Sequence, residues 1–360
     1  MLVAPLVFCG RAPADRVAAI GILTGENYDR LVPAGKEADA IIGDYVMRNE
    51  HLVAVVGNPV PGRDANATVR GVGGAIIDLT VRDHPNDLLS VFHPGGGYLL
   101  CTPPRIEALG VDGSKTAAAA SGLLEGHEAR FTCDSPARPE RPQARLTYSL
   151  KQGEPFLTVT TEWTNTISRP IHLPVEDLLR VEGPSFERMA DGDESPVWAY
   201  DPWFGQAYGV AGDGIKARVT REGDSLLLKW LVEGGTGMTL GPGRSFVLTR
   251  RLFPGRDLVE VKAIDARARG LSTTILGLHV TDPAGRPVPA ADVVVTSQGT
   301  FHARTRTLAD GEAALDLPEG GTYRLEGSSP GMGERTVDAP VGGKGTLHVA
   351  LDAGSRLVGT

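Results

Sequence analysis

Three cysteines in 360 residues, Cys9, Cys101 and Cys133, are too few for a disulfide framework, and no C-x-x-C pair exists for zinc or thiol exchange. Cys101 and Cys133 read as two buried thiols, with a bond between them in an oxidising compartment as the alternative. Histidine is thin as well: there are eight, with no H-x-H and no H-E-x-x-H, so the common zinc-hydrolase signatures are missing. Basic charge is not in surplus. Lys and Arg number 36 against 44 Asp and Glu, a formal net charge of -8, which argues against nucleic acid or an anionic membrane as the partner. No apolar run reaches the roughly 18 residues that a membrane-spanning helix needs. The glycine-rich stretches at 71–74 and 95–97 lack the G-x-x-x-x-G-K-[ST] frame and a following helix, and read as turns and bulges rather than phosphate cradles.

Glycine and proline, by contrast, are abundant. The 46 glycines and 26 prolines are spread along the chain and punctuate many short β-branched runs, the mark of an all-β protein. The length suits about two domains. Residues 1–39 read as an apolar leader remnant, with Ala12-Pro13-Ala14 resembling a cleavage site, followed by a short helical segment stopped by Pro33. Strand signals then run from 40 to 268, including a hairpin at Asn49-Glu50, the alternating segment from Phe156 to Thr164, and a final strand from Asp257 to Ala263. After a short polar break at 266–270, residues 272–352 read as a small β-sandwich with tight hairpins. Its turns are Asp282-Pro-Ala-Gly285 and Ala309-Asp-Gly311.

Several motifs carry chemistry on paper. Gly327-Ser-Ser-Pro-Gly331 matches the nucleophile-elbow string, but Pro330 makes a loop where that serine needs a strand-to-helix turn. Asp83, His84, Asp87 and His93 crowd one loop, where a solvated polar loop competes with a metal site. Asp191 and Asp193 are too close together for an EF-hand, yet a peripheral Ca²⁺ needs only a few such oxygens, and no other cofactor is expected. Asn66-Ala-Thr68 is a glycosylation sequon, in a loop that Asx-turns would tether. The strongest signal is aromatic: five of the twenty Phe, Trp and Tyr residues fall between Trp198 and Tyr208. Rings beside a carboxylate suit stacking on a sugar face, so Trp198, Tyr200, Asp201 and Trp203 are the expected ligand contacts, with Arg70 and Asp78 as further candidates. The competing reading is that these rings seal one end of the core.

Three stretches, Gly43 to Asn49, Val69 to Thr80 and Asn86 to Ser90, resemble the N-terminal part of large secreted bacterial proteins carrying a galactose-mutarotase-like β-supersandwich. In that group the supersandwich is often followed by a carboxypeptidase-regulatory-like (transthyretin- or Ig-like) sandwich, and sometimes by a metallohydrolase domain. The passage from Glu162 to Pro174 is similar to a mutarotase strand–turn–strand. Where a mutarotase places its catalytic histidine, this chain has Val175-Glu-Asp-Leu-Leu179, so no catalytic residue is assigned. The resemblance implies a large β-supersandwich followed by a small Ig-like or prealbumin-like sandwich, bearing a carbohydrate or cell-surface polymer outside the cytoplasm: secreted, periplasmic or at the cell surface. The expected function is non-catalytic carbohydrate binding or a structural role. The alternatives are a polysaccharide-active lyase, hydrolase or epimerase using His172, Glu176 and Asp177, or the first part of a larger metallohydrolase.

Overall fold

A computed structural model describes residues 17–116, 122–183, 186–188, 191–339 and 345–353; the leader reading and Cys9 lie outside them. The fold is all-β, built of a large two-sheet body and a C-terminal sandwich. One sheet has ten strands, in the order Gly192–Glu194, Ala217–Glu222, Ser225–Trp230, Glu176–Val181, Leu89–Pro94, Ile76–Val81, Leu52–Val56, Tyr45–Arg48, Ala18–Ile22 and Leu124–Gly126. The other has eight: Glu187–Arg188, Val197–Asp201, Gln206–Gly212, Ser245–Gly255, Leu157–Thr164, Gln143–Lys151, Glu128–Ser135 and Arg105–Leu109.

Alternation explains the second sheet. Along Leu157–Thr164, Leu157, Val159, Thr161 and Trp163 are buried while Thr158, Thr160, Glu162 and Thr164 are only partly so, the period-two pattern of a sheet with one covered face. Strands Leu52–Val56 and Ile76–Val81 break that rule and are buried throughout. Both of their faces are covered. One meets the main core around Phe92, Phe131 and Trp230; the other lies under a roof that includes Leu31, Ala40, Val69 and Val72. Buried polar groups lock this roof: Asp44 accepts from Arg63 Nη2 at 2.6 Å and from the Asn58 amide at 2.8 Å.

Four expectations are corrected. The N-terminal segment is not merely helical: α1 spans only Tyr28–Leu31, and Ala18–Ile22 is a strand paired with Tyr45–Arg48 in the ten-stranded sheet. Cys101 and Cys133 are joined in a disulfide rather than left as thiols. The segment after Asp257 is not a strand but a second helix, α2, Leu258–Ala268. Its cap outweighs its β-branched residues: Asp257 accepts from the Glu260 amide at 2.8 Å, and Glu260 reaches back to the Arg256 amide at 2.7 Å. Gly270, at φ +79, closes the helix, with its amide on Arg267 and the Leu271 amide on Ala266.

The fourth correction concerns the small sandwich, which has sheets of three and four strands. Thr273–Thr281 pairs with Glu312–Pro318 and, in parallel, with Thr346–Ala350, whereas Asp292–Ser297 pairs with Thr300–Arg306 and Tyr323–Ser328. The turn at Asp310 therefore carries the chain from one sheet to the other, and the turn at Asp282 closes only a short hairpin, bridging Thr281 and Pro287, before the chain crosses to the other sheet. Helix α2 joins the two bodies. Leu258, Val259, Val261 and Ile264 share one apolar cluster with Tyr200 and Phe253 of the large body and Ala303, Leu315 and Val280 of the sandwich.

Candidate functional site

A cleft of about 600 Å³ opens where the large body, α2 and the small sandwich meet. Its first wall is the turn between Val197–Asp201 and Gln206–Gly212. Asp201 builds that turn: its Oδ1 accepts the amides of Trp203 (2.8 Å) and Phe204 (3.0 Å), and the Gly205 amide bonds Asp201 O at 2.9 Å. Gly205 sits at φ +64, a backbone geometry that glycine adopts without strain. Asn86 Nδ2 ties the Phe204 carbonyl to the neighbouring loop at 2.6 Å. The indole of Trp203 is thereby held on a pinned turn at 75% exposure, with Phe204 at 42% beside it.

The other walls are polar. Arg256, Asp257, Glu260 and Arg267 come from α2 and its approach, and Thr305, Arg306, Thr307 and Asp316 from the sandwich. Arg256 Nε pairs with Glu260 Oε2 at 3.2 Å, and Arg267 pairs with Asp316. Asp257 also accepts from Thr305 Oγ1, a direct bond between the two bodies. Burial pushes its pKa up to about 6, against the lowering effect of the Thr305 and Glu260 hydrogen bonds. Burial likewise raises the Tyr200 phenol.

The expected ligand residues separate in space. Trp203 and Tyr200 line the cleft, Trp203 at its rim and Tyr200 at its floor with 1% exposure. Asp201, also 1% exposed, shapes the turn. Trp198 is half-buried and its ring lies 5.7 Å from Phe301 of the sandwich, so it helps seal the junction. Arg70 and Asp78 do not line the cleft. Arg70 is exposed on the roof loop, and Asp78 is buried beneath that loop, accepting the Asp39 amide at 2.8 Å. Within the aromatic segment, then, Tyr200 and Trp198 are packed while Trp203 is displayed to the cleft.

Hydrogen bonds engage most of the other candidates. Asp177 is fully buried, with Arg250 Nη2 at 3.1 Å and the Gly95 amide at 2.9 Å on Oδ1, and Trp230 Nε1 at 2.7 Å on Oδ2. Both of its oxygens are engaged in these bonds. His172 is exposed in a two-stranded ribbon, Ile171–Pro174 with Gly237–Leu240, beside a second hollow of about 410 Å³. Asp87 accepts the Leu79 amide, and no metal-holding group of three or more His, Cys, Asp or Glu occurs among the described residues. Asp193 is taken by Arg218 at 2.8 Å, and Asp191 accepts the Arg221 amide. Asn66 caps its own loop through Thr68 and Val69.

The sequence reading missed Arg256, Asp257, Thr305 and Arg306. Asp257 carried a usable signal, the D-x-x-E cap ahead of an apolar run; the arginines and threonine carried none, because only the meeting of two bodies gathers them.

Comparisons with known proteins bear on the two bodies separately. Residues 275–352 match the carboxypeptidase regulatory-like domain family. No curated protein matches the sequence. Among solved structures, a TPR-domain containing protein from Parabacteroides distasonis is similar at 12% identity and TM-score 0.38, over 59% of this chain and 47% of that one. The chain thus spans about half the length of that protein. A galactose mutarotase-like protein from Lactobacillus casei is similar at 8% identity and TM-score 0.33, over 59% of this chain and 100% of that one. Another, from Clostridium acetobutylicum, is similar at 9% identity and TM-score 0.32, over 60% and 97% respectively. Both parts of the expected two-part architecture therefore recur among the matches. At these scores the structural likeness carries no argument about chemistry, which rests on the cleft itself.

No described helix is long and apolar enough to cross a membrane.

Proposed function

We propose that the chain is a non-catalytic carbohydrate-binding protein whose cleft between the large body and the small sandwich seats a saccharide from a cell-surface or extracellular polymer. The observation that carries this reading is Trp203, 75% exposed yet held on a hydrogen-bonded turn at the mouth of the cleft. A flat apolar ring displayed in this way offers a stacking surface that a sugar's C–H face suits, while polar side chains of the cleft meet the hydroxyls. Because the turn is already ordered, binding immobilises little. The disulfide between Cys101 and Cys133 supports a secreted, periplasmic or cell-surface location.

A hydrolase is the second reading, and one observation favours it: Asp257, raised to about 6, lines the same cleft as Glu260. Their oxygens are committed, however. Asp257 serves Thr305 and the helix cap, and Glu260 serves Arg256. Binding without turnover is the better account.

A glycan array probed with wild type and Trp203→Ala tests it. The proposal expects a set of glycans retained by wild type and lost by the variant; no retained glycan, or retention that ignores the substitution, would overturn it.

A further inference from the structure

The charges lining the cleft pair off in all but one place. Arg256 is held by Glu260 and Arg267 by Asp316, while Asp257 accepts from Thr305 and the Glu260 amide. Arg306 is left over. Its opposite number across the sheet is Asp292, but that carboxylate is occupied by both Nε and Nη2 of Arg304, which also reaches Glu187 of the large body. The Arg306 side chain makes no hydrogen bond or ion pair with any described residue, and its Nε is buried without an acceptor. A guanidinium that lines a cleft with no carboxylate of its own is open to an incoming anion, which its terminal nitrogens can meet while Nε stays enclosed. A carboxylate matches best, since its two oxygens meet the planar fork of an arginine side by side.

We propose that the cleft selects an acidic saccharide, a uronate whose carboxylate sits on Arg306 while its ring stacks on Trp203. This assignment rests on the carbohydrate reading above and adds the ligand's charge to it. Arg256 and Arg267 contribute little to the selection, because their own carboxylates neutralise them. The preference for acidic over neutral sugar therefore resides in one side chain.

Calorimetric titration of the full chain at neutral pH with tri-galacturonate, the neutral galactose trisaccharide and a sulfated galactose trisaccharide tests this, in wild type, Arg306→Gln and Trp203→Ala. The expected result is that tri-galacturonate binds wild type more tightly than either other sugar. Arg306→Gln should weaken it about 10- to 100-fold, the size of a lost charge-assisted hydrogen-bond pair. The same variant should weaken the neutral sugar far less than tri-galacturonate, and an unchanged thermal midpoint shows that its fold is intact. Trp203→Ala should weaken all three sugars together. Equal binding of neutral and acidic sugar, a preference for the sulfated one, or a uronate preference that survives in Arg306→Gln would overturn the assignment and leave the carbohydrate reading standing. Failure of all three sugars to bind wild type would overturn both.

Discussion

Trp203 and Tyr200 stand three residues apart on one hairpin and do opposite work: one ring faces solvent at the cleft mouth, the other lies under it. Replacing Trp203 with Ala should thus leave the thermal midpoint nearly unchanged, as exposed side chains contribute within about 0.5 kcal/mol. Removing Tyr200 should cost about 3 kcal/mol or more by the core-truncation rule; differential scanning calorimetry on both variants separates the two roles. Asp177 is more demanding still. Asp177→Ala strands the fully buried Arg250, and urea unfolding should show a loss of about 3–5 kcal/mol.

Asp78 and Asp87 give the molecule a pH signature. Burial is the main cause for both, raising Asp78 to about 8 and Asp87 well above its ordinary 3.8. The unfolded chain gives up these protons near pH 4, whereas the folded one holds Asp78's until about pH 8. The stability they contribute is therefore complete at low pH and lost as pH rises through the folded value. Between about pH 5 and about pH 9 the urea midpoint should fall, and Asp78→Asn should flatten that fall. At this scale the sequence was half legible. Clustering of five aromatics in eleven positions marked the segment that walls the cleft, but nothing in it told the floor ring from the rim ring. Arg70 and Asp78 share a stretch with recognisable strand residues and yet sit in or under the roof loop, since which loop covers a sheet is decided by distant contacts.

At the scale of elements, helix α2 is the hinge point of the account. Its cap residue, Asp257, bonds both the helix amide and Thr305 of the small sandwich. Asp257→Ala should cost about 1–2 kcal/mol for the cap and loosen the junction, so limited proteolysis should cut faster near residues 269–272 than in wild type. Unchanged cutting would mean that the apolar cluster alone holds the bodies together. The alternating strands of the eight-stranded sheet were readable because period-two burial is written locally, as in Leu157–Thr164. The helix was not, because Leu258, Val259 and Val261 have strand-like chemistry, and only the D-x-x-E cap and Gly270 argue the other way. The turns at Asp282 and Asp310 were legible as turns. That the chain switches sheets around them was not, since pairing partners lie dozens of residues away.

At the scale of the whole molecule, a disulfide ties the loop ahead of Arg105–Leu109 to the neighbouring strand Glu128–Ser135. It closes a loop of 32 residues between Cys101 and Cys133, and on chain-entropy grounds its removal in a Cys101→Ala/Cys133→Ala variant should cost about 3–4 kcal/mol. The two-body plan was legible from turn chemistry and strand spacing. The cleft between the bodies was invisible, because its walls come from residues 84 to 316 and meet only after folding.

The central claim is that Trp203 is the ring on which a saccharide stacks, and the chain's own fluorescence tests it directly. Of four tryptophans, Trp163 and Trp230 are fully buried and Trp198 is half-buried, so iodide reaches chiefly Trp203. A saccharide that binds in the cleft should shield this quencher-accessible emission, and Trp203→Phe should remove it. Saccharide binding with iodide access to Trp203 unchanged would contradict the account.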